Sequence, residues 1–477
     1  MPDRRTTFRD GFLWGAATSA YQIEGSLDVD GRGESVWESF ARTPGLVEGG
    51  GDAAIAVDSY RRWRDDIAIL KELGMKAYRF SVGWSRIMPE GFGRVETRGL
   101  DHYERFVDEL LANDIVPVLT LNHWDMPQAL MAAEDSGGTE GWVGRGSVDA
   151  FAEFAQAVGE RLGDRVPWWI TQNEPWIIQL LGYQLGLHAP GIADLAKSVQ
   201  AGHHVMLGHG AAYDALRGLT AGKIGASLNL LPCYPASDSE ADAAAARGSD
   251  GYVNRWFLNP LLRSGYPDDM RQHWETAIGR PLDFIRDGDE AAIGGRSDFL
   301  GVNFYTRRVM RAAEPGPGRP FPWQVVPGTD GVDRSDEGTE IVPDVLRDLL
   351  IRLHVEYPGV PVMVTENGVI SGESPTHDGK VHDVRRIRYL RSHLRAIGEA
   401  IEAGAPVVGY THWSLFDNFE WALGYRPRFG LVYVDYPSQQ RTIKDSGRHY
   451  AAIVRANRLI DWDETKPQAV DALGANG

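Results

Sequence analysis

Cysteine is almost missing from this chain: Cys233 stands alone among 477 residues. A disulfide within the chain and a thiolate metal site are therefore both excluded, and the cytoplasm is the expected location. Positive charge is also scarce. Lysine and arginine number 49 against 66 aspartates and glutamates, a formal net charge of −17. Nucleic acid and anionic membrane both need clustered cations, so neither is an expected partner. No apolar run approaches the ~18 residues of a membrane helix, and "MPDRRTTFRDGF" at the start has no apolar segment of the kind that opens a secretory signal. The acidic residues are spread along the chain and read as solubility. With 43% apolar residues the composition is that of an ordinary globular protein.

What the chain does have is alternation. "SYRRWRDDIAILKELG" places Tyr60, Trp63, Ile67 and Leu70 on one helical face, with Gly74 where a C-terminal cap belongs. "DHYERFVDELLAND" and "SVDAFAEFAQAVGERLGD" carry the same period. Between such segments lie short apolar runs that read as buried strands: "FLWGAA", "KAYRFSV", "IVPVLTLNHW", "WWITQNE", "KIGASLNL", "FLGVNFY", "VMVTENG" and "VVGYTHWS". Strand and helix alternate throughout, which implies parallel strands with helical crossovers. About eight runs are present, the number that closes a (β/α)8 barrel. The expectation is a single barrel domain over 1–477, with long βα loops forming an active-site rim. The Pro/Gly-rich stretch 312–343 is read as one such loop, residues 237–251 as a short exposed helix and turn, and 463–477 as a frayed tail.

Polar residues fall at the ends of these runs: Gln22, Arg79, His123, Asn173 with Glu174, Asn229, Asn303 with Tyr305, Glu366 and Trp413. In a barrel those ends converge on one face, and that face carries the active site. Capping of strands by polar residues accounts for one or two amides, but not for two carboxylates, an arginine, a histidine and several tryptophans. Two carboxyl groups across a cleft suit glycoside cleavage, one protonating the leaving oxygen and the other attacking or activating water. Arg79 can hold one of them ionised. The 15 tryptophans offer flat faces for the apolar side of sugar rings, although Trp63, Trp168 and Trp274 read as core.

The motifs "GFLWGAATSAYQIEG", "MKAYRFSVGWSRIMPEG", "NHWDMPQAL", "TQNEPW", "LGVNFYTR", "VTENG" and "HWSLFDNFEWALGYRPRFGLVYVDY" occur in this order. Through them the chain resembles glycoside hydrolase family 1, the β-glucosidase family, over residues 8–455. The resemblance implies a retaining β-glycosidase acting on terminal β-D-glucosyl residues, with Glu174 as general acid/base and Glu366 as nucleophile. It implies that Gln22, His123, Asn173, Glu420 and Trp421 bind the nonreducing sugar, with Trp413 as a stacking platform. Arg79, Asn303 and Tyr305 are implied as support for the nucleophile, and Trp176 and Trp323 as the lining of the leaving-group subsite. Four positions depart from the family pattern: Asn122, Gln172, Asn259 and His449. None touches the carboxylates.

His203, His204 and His209 in "GHHVMLGHG" fit no metal-ligand spacing and read as helix packing. No cofactor or metal is expected. The partner is a small β-glycoside, and the oligomeric state is left open, a homo-oligomer included. Three other functions fit the sequence less well. A 6-phospho-β-glycosidase is disfavoured because Glu420 stands where phospho-specific relatives carry serine. A sugar-binding pseudoenzyme would lack one of the carboxylates. A metal-dependent barrel hydrolase would need ligands at several strand ends, and only His123 qualifies.

Overall fold

Eight parallel strands close on one another. They are β1 (Leu13–Ala17), β2 (Ala77–Ser81), β3 (Val116–Asn122), β4 (Trp168–Asn173), β5 (Lys223–Asn229), β6 (Phe299–Asn303), β7 (Val362–Glu366) and β8 (Val407–Trp413). Around the barrel the order is β1-β8-β7-β6-β5-β4-β3-β2. Each lies within one of the eight apolar runs. The structure, a computed structural model, describes residues 6–462 apart from 264, 317 and 318; the expectation for the tail 463–477 falls outside the described residues.

Side chains from β2, β3, β4, β6 and β7 fill the lower barrel. Ala77, Val118, Ile170, Phe299 and Met363 form a small cluster, with Leu13, Val116, Trp168 and Val408 packed beside it. A much larger apolar shell lies between barrel and helices. The helices Ser59–Glu72, Thr97–Ala112 and Gly146–Leu162 follow the apolar period of the sequence. Gly74 has φ +71°, the left-handed turn that ends the first of them without a Cβ clash. Among the described residues, no helix is long and apolar enough to cross a membrane.

Two readings need correction. The helix expected within 237–251 is there, but it is neither short nor exposed. Helix Glu240–Asp250 runs on through Gly251–Arg255 into Trp256–Leu262, and Ala245, Ala246 and Gly248 are buried. The alanine-rich face looks weakly apolar by sequence but packs tightly because it is small. The stretch 312–343 is not loop throughout either. Trp323–Val325 pairs with Arg308–Ala312, which pairs in turn with Cys233–Pro235, in a three-stranded sheet separate from the barrel. Strands of three residues leave no legible alternation.

Candidate active site

The strand ends converge as the alternation requires. β4 finishes at Asn173, and the next residue, Glu174, turns out of the sheet with φ +50°. Pro175 then starts the following helix, where its fixed φ and missing N–H are tolerated. The Glu174 amide still donates to Ser227 O at 2.8 Å, so the turn stays tied to β5. Trp124 and Trp421, with φ +66° and +53°, share this left-handed state. Three non-glycine residues so held on one cavity mark stored backbone strain, each worth about 1–3 kcal/mol. At the end of β7, Gly368 passes so close to β8 that an added Cβ would lie 1.8 Å from Trp413 O.

A cavity of about 270 Å³ opens at this face, lined in part by His123, Glu174, Tyr305, Glu366, Trp413 and Glu420. Arg79 Nη1 donates to Glu366 Oε1 at 2.5 Å, and Tyr305 Oη donates to Oε2 at 2.8 Å. Both oxygens of Glu366 are thus held by donors. Burial and the charge of Glu366 push the Tyr305 hydroxyl well above its ordinary range, so it remains a donor. Glu174 is treated differently. Its Oε1 accepts from Asn303 Nδ2 at 2.7 Å and from Asn229 Nδ2 at 3.3 Å, both neutral amides. Burial, then repulsion from Glu366, raises its pKa to about 8, against smaller lowering effects from those amides and Arg79. The two carboxyl groups thus have different surroundings, a guanidinium and a phenol on Glu366 and neutral amides on Glu174, which keeps its proton.

Asn173 links the two. Its Oδ1 accepts from Arg79 Nη2 at 2.6 Å and Asn303 Nδ2 at 3.0 Å, while its Nδ2 donates to His123 Nε2 at 3.1 Å. That bond leaves the His123 proton on Nδ1. Burial first, and then Arg79, lowers the His123 pKa well below its usual value, so the ring is neutral. Behind them Ser227 Oγ donates to Thr365 Oγ1, which donates to Asn303 Oδ1 at 2.7 Å and so fixes which way the Asn303 amide faces.

Glu420, Trp413 and Trp421 line the cavity as well. Trp421 is wedged among Trp37, Trp124 and Tyr21, with ring centroids 4.6, 4.8 and 6.0 Å away. Burial, and secondarily Glu366, raises the Glu420 pKa to about 8.

Several positions differ from expectation. The family resemblance implies Asn303 as support for the nucleophile. Its backbone is indeed paired with Glu366 across β6 and β7, but its side-chain amide goes to Glu174 and Asn173. Gln22 lies fully buried behind Glu420. Its Nε2 donates to Asn418 Oδ1, Phe419 O and, at 3.3 Å, Glu420 Oε2, so it braces that carboxyl group. Trp176 and Trp323 do not line the cavity. Trp176 is buried edge-on to Tyr252, and Trp323 is stacked on Phe321 at 4.7 Å. Trp124, Ile177, Leu181, His188, Leu423 and Phe429 are among the residues that do line the cavity. Sequence reasoning missed Trp124, Thr365 and Asn418, although Trp124 and Thr365 adjoin His123 and Glu366 and Asn418 stands two residues before Glu420.

The histidines of "GHHVMLGHG" lie on helix Leu195–Arg217 and take separate partners. His203 bonds Tyr266 Oη and Asp289, His204 bonds Trp142 O, and His209 bonds Thr171 Oγ1. Among the described residues, no group of three or more His, Cys, Asp or Glu side chains has the arrangement of a metal site.

Comparison with known proteins agrees with this geometry. Residues 4–459 match the model of glycosyl hydrolase family 1. β-Glucosidase A of Thermotoga maritima is 41% identical over 457 residues, covering 95% of this chain and 99% of the relative. Thermostable β-glucosidase B of Thermobispora bispora is 44% identical, covering 95% and 92%. The solved structure of the Thermotoga maritima family 1 β-glucosidase superposes with a TM-score of 0.90 at 41% identity, covering 96% of this chain and all of that one. An enzyme from Alicyclobacillus herbarius gives 0.89 at 45% identity, covering 94% and 98%. The chain belongs to glycosyl hydrolase family 1.

Proposed function

We propose that this chain is a retaining β-glucosidase. It removes terminal nonreducing β-D-glucosyl residues from small glucosides and oligosaccharides by double displacement. A carboxylate oxygen of Glu366 attacks the anomeric carbon while Glu174 gives its proton to the departing oxygen. Water then displaces the Glu366 ester, and Glu174 takes the proton from that water. The observation that carries this reading is the contrast in surroundings: Glu366 held by Arg79 and Tyr305, Glu174 by neutral amides with its pKa raised to about 8. Neutral His123, Asn173, Glu420, Trp421 and the Trp413 face supply the sugar contacts, with Gln22 holding Glu420. No lysine or arginine is among the cavity's lining residues, which favours unphosphorylated sugars. The reading treats the chain as one catalytic unit placed in the cytoplasm; a single half-buried thiol, Cys233, is compatible with that compartment.

Two measurements test it together. The first sugar product should appear as the β-anomer by proton NMR, and a 2-deoxy-2-fluoro glucoside should leave its label on Glu366 in peptide mapping. An α-anomer appearing first, or a label on another residue, would overturn the assignment.

A further inference from the structure

Glu174 has two carboxyl oxygens, and its neighbours treat them unequally. Oε1 accepts from Asn303 Nδ2 at 2.7 Å and from Asn229 Nδ2 at 3.3 Å. Among the described residues, none donates to Oε2. A carbonyl oxygen has two lone pairs and takes two N–H groups readily. A hydroxyl oxygen in the same place would turn its own hydrogen against one of them. With both amides present, Oε1 is the carbonyl oxygen of the acid and Oε2 its hydroxyl.

The two amides meet through strand register. Asn229 and Asn303 stand opposite each other at the ends of β5 and β6, and just beyond them Leu230 N donates to Asn303 O at 3.1 Å. Asn303 is fully engaged: its Oδ1 accepts from Thr365 Oγ1, and its Nδ2 is shared with Asn173. Asn229 is engaged on one side only, because its Oδ1 is buried without a partner. A buried acceptor left unpaired weakens a fold, so for stability alone an apolar side chain would serve better here. What the amide does supply is the N–H on Glu174.

Resting on the proposed β-glucosidase reading, we infer that Asn229 is a positioning residue for the general acid: with Asn303 it makes Oε1 the acceptor and so puts the transferable proton on Oε2, the oxygen left open to the leaving group. In the first step that proton passes from Oε2 to the departing oxygen, whose bond to the anomeric carbon breaks as a Glu366 oxygen bonds to that carbon. Oε1 keeps both amide bonds, which strengthen as the carboxyl group becomes charged. In the second step Oε2 takes a proton back from the attacking water.

Substrates that differ in their need for the proton test this. Methyl β-glucoside must be protonated for its alcohol to leave, whereas a 2,4-dinitrophenyl group departs as a stable anion. Asn229→Leu should cut kcat/KM for methyl glucoside by about fivefold more than for dinitrophenyl glucoside. Asn229→Asp keeps the shape but sets an acceptor against Oε1, drawing the proton to the wrong oxygen, and should widen that gap. Equal losses on the two substrates, or no loss on either, would overturn the proposal, since a purely structural role acts on both alike. Neutron diffraction from the unaltered protein, at a pH where Glu174 is protonated, reads the proton directly even if both variants fail to fold. A deuteron on Oε2 is expected, and one on Oε1 overturns the proposal. Failure of the unaltered protein to hydrolyse either glucoside would instead remove the β-glucosidase reading, and this inference with it.

Discussion

Glu174 combines burial, a like charge nearby and a left-handed backbone, and its proton is the one the reaction moves. With its pKa raised to about 8, it is protonated at neutral pH and able to act as an acid. Because the protonated form is the working one, kcat/KM should fall as pH rises through that value. Formation of the Glu366 ester removes the charge that helps raise this pKa, so in the trapped enzyme it should drop. Carbon-13 NMR of labelled Glu174, before and after reaction with a 2-deoxy-2-fluoro glucoside, measures the change directly. An unchanged pKa would show that burial alone sets it and that Glu366 plays no part. At this scale the sequence was informative where chemistry is local. "TQNEPW" and "VTENG" placed both carboxyl groups at strand ends, and "KAYRFSV" placed Arg79. It marks Asn303 as a site residue but not the direction of its amide, which is fixed by Thr365 and Ser227, residues brought beside it by the fold.

Between β3 and β4 two of the unusual residues answer each other. Asn122 and Gln172 are opposite in register, and Asn122 Nδ2 donates to Gln172 Oε1 at 2.7 Å. Each immediately precedes a site residue, His123 or Asn173. Asn122 Oδ1 and Gln172 Nε2 are buried without a partner, so the pair is only half satisfied. Replacing one member by leucine strands the other amide and should destabilise the protein by about 1–3 kcal/mol. Replacing both, Asn122→Leu with Gln172→Leu, should return stability to within ~1 kcal/mol of the original, because apolar side chains leave no polar group unpaired. Urea unfolding of the three variants decides it; additive losses in the double variant would mean the amides act independently. From sequence these positions looked like two separate departures 50 residues apart. Register joins them, and register is set by eight strands closing on one another. The strands themselves were legible because parallel barrel strands are continuous apolar runs. The small sheet around Trp323–Val325 was not, since three residues show no period.

Over the whole molecule, two sets of buried titratable groups pull stability in opposite directions. Burial raises Glu174 and Glu420 to about 8, Asp125 to about 7 and Asp66 to about 6. These stay protonated in the fold after the unfolded chain has released its protons, near pH 4. Their contribution is therefore whole below that pH and is lost as pH rises toward 8. Burial lowers His102, His188 and His449 to about 3, and His203, His209 and His393 to about 4. Their contribution is whole above about 6.5 and lost as pH falls from there. Above 6.5 the carboxyl groups act unopposed, each with a slope of up to ~1.4 kcal/mol per pH unit. The thermal midpoint should thus peak between about pH 4.5 and 6.5 and decline toward 8. Glu174→Gln combined with Glu420→Gln should flatten that decline. A midpoint rising up to pH 8 would contradict the assignment. Composition and net charge contain none of this, because it depends on which few of the acidic residues the barrel buries.

Closure of the barrel has a temporal side. β1 hydrogen-bonds to β8, and the Arg79–Glu366 ion pair joins residues 287 apart in the chain, Gln22 and Glu420 being 398 apart. During synthesis Arg79, His123 and Glu174 emerge long before their partners exist. Until β7 and β8 arrive, a half-built barrel holds a proton donor without a nucleophile and a sugar pocket without its far wall. Catalysis therefore begins only when the last strands dock against the first, and the regain of glycosidase turnover reports the final act of folding rather than its beginning.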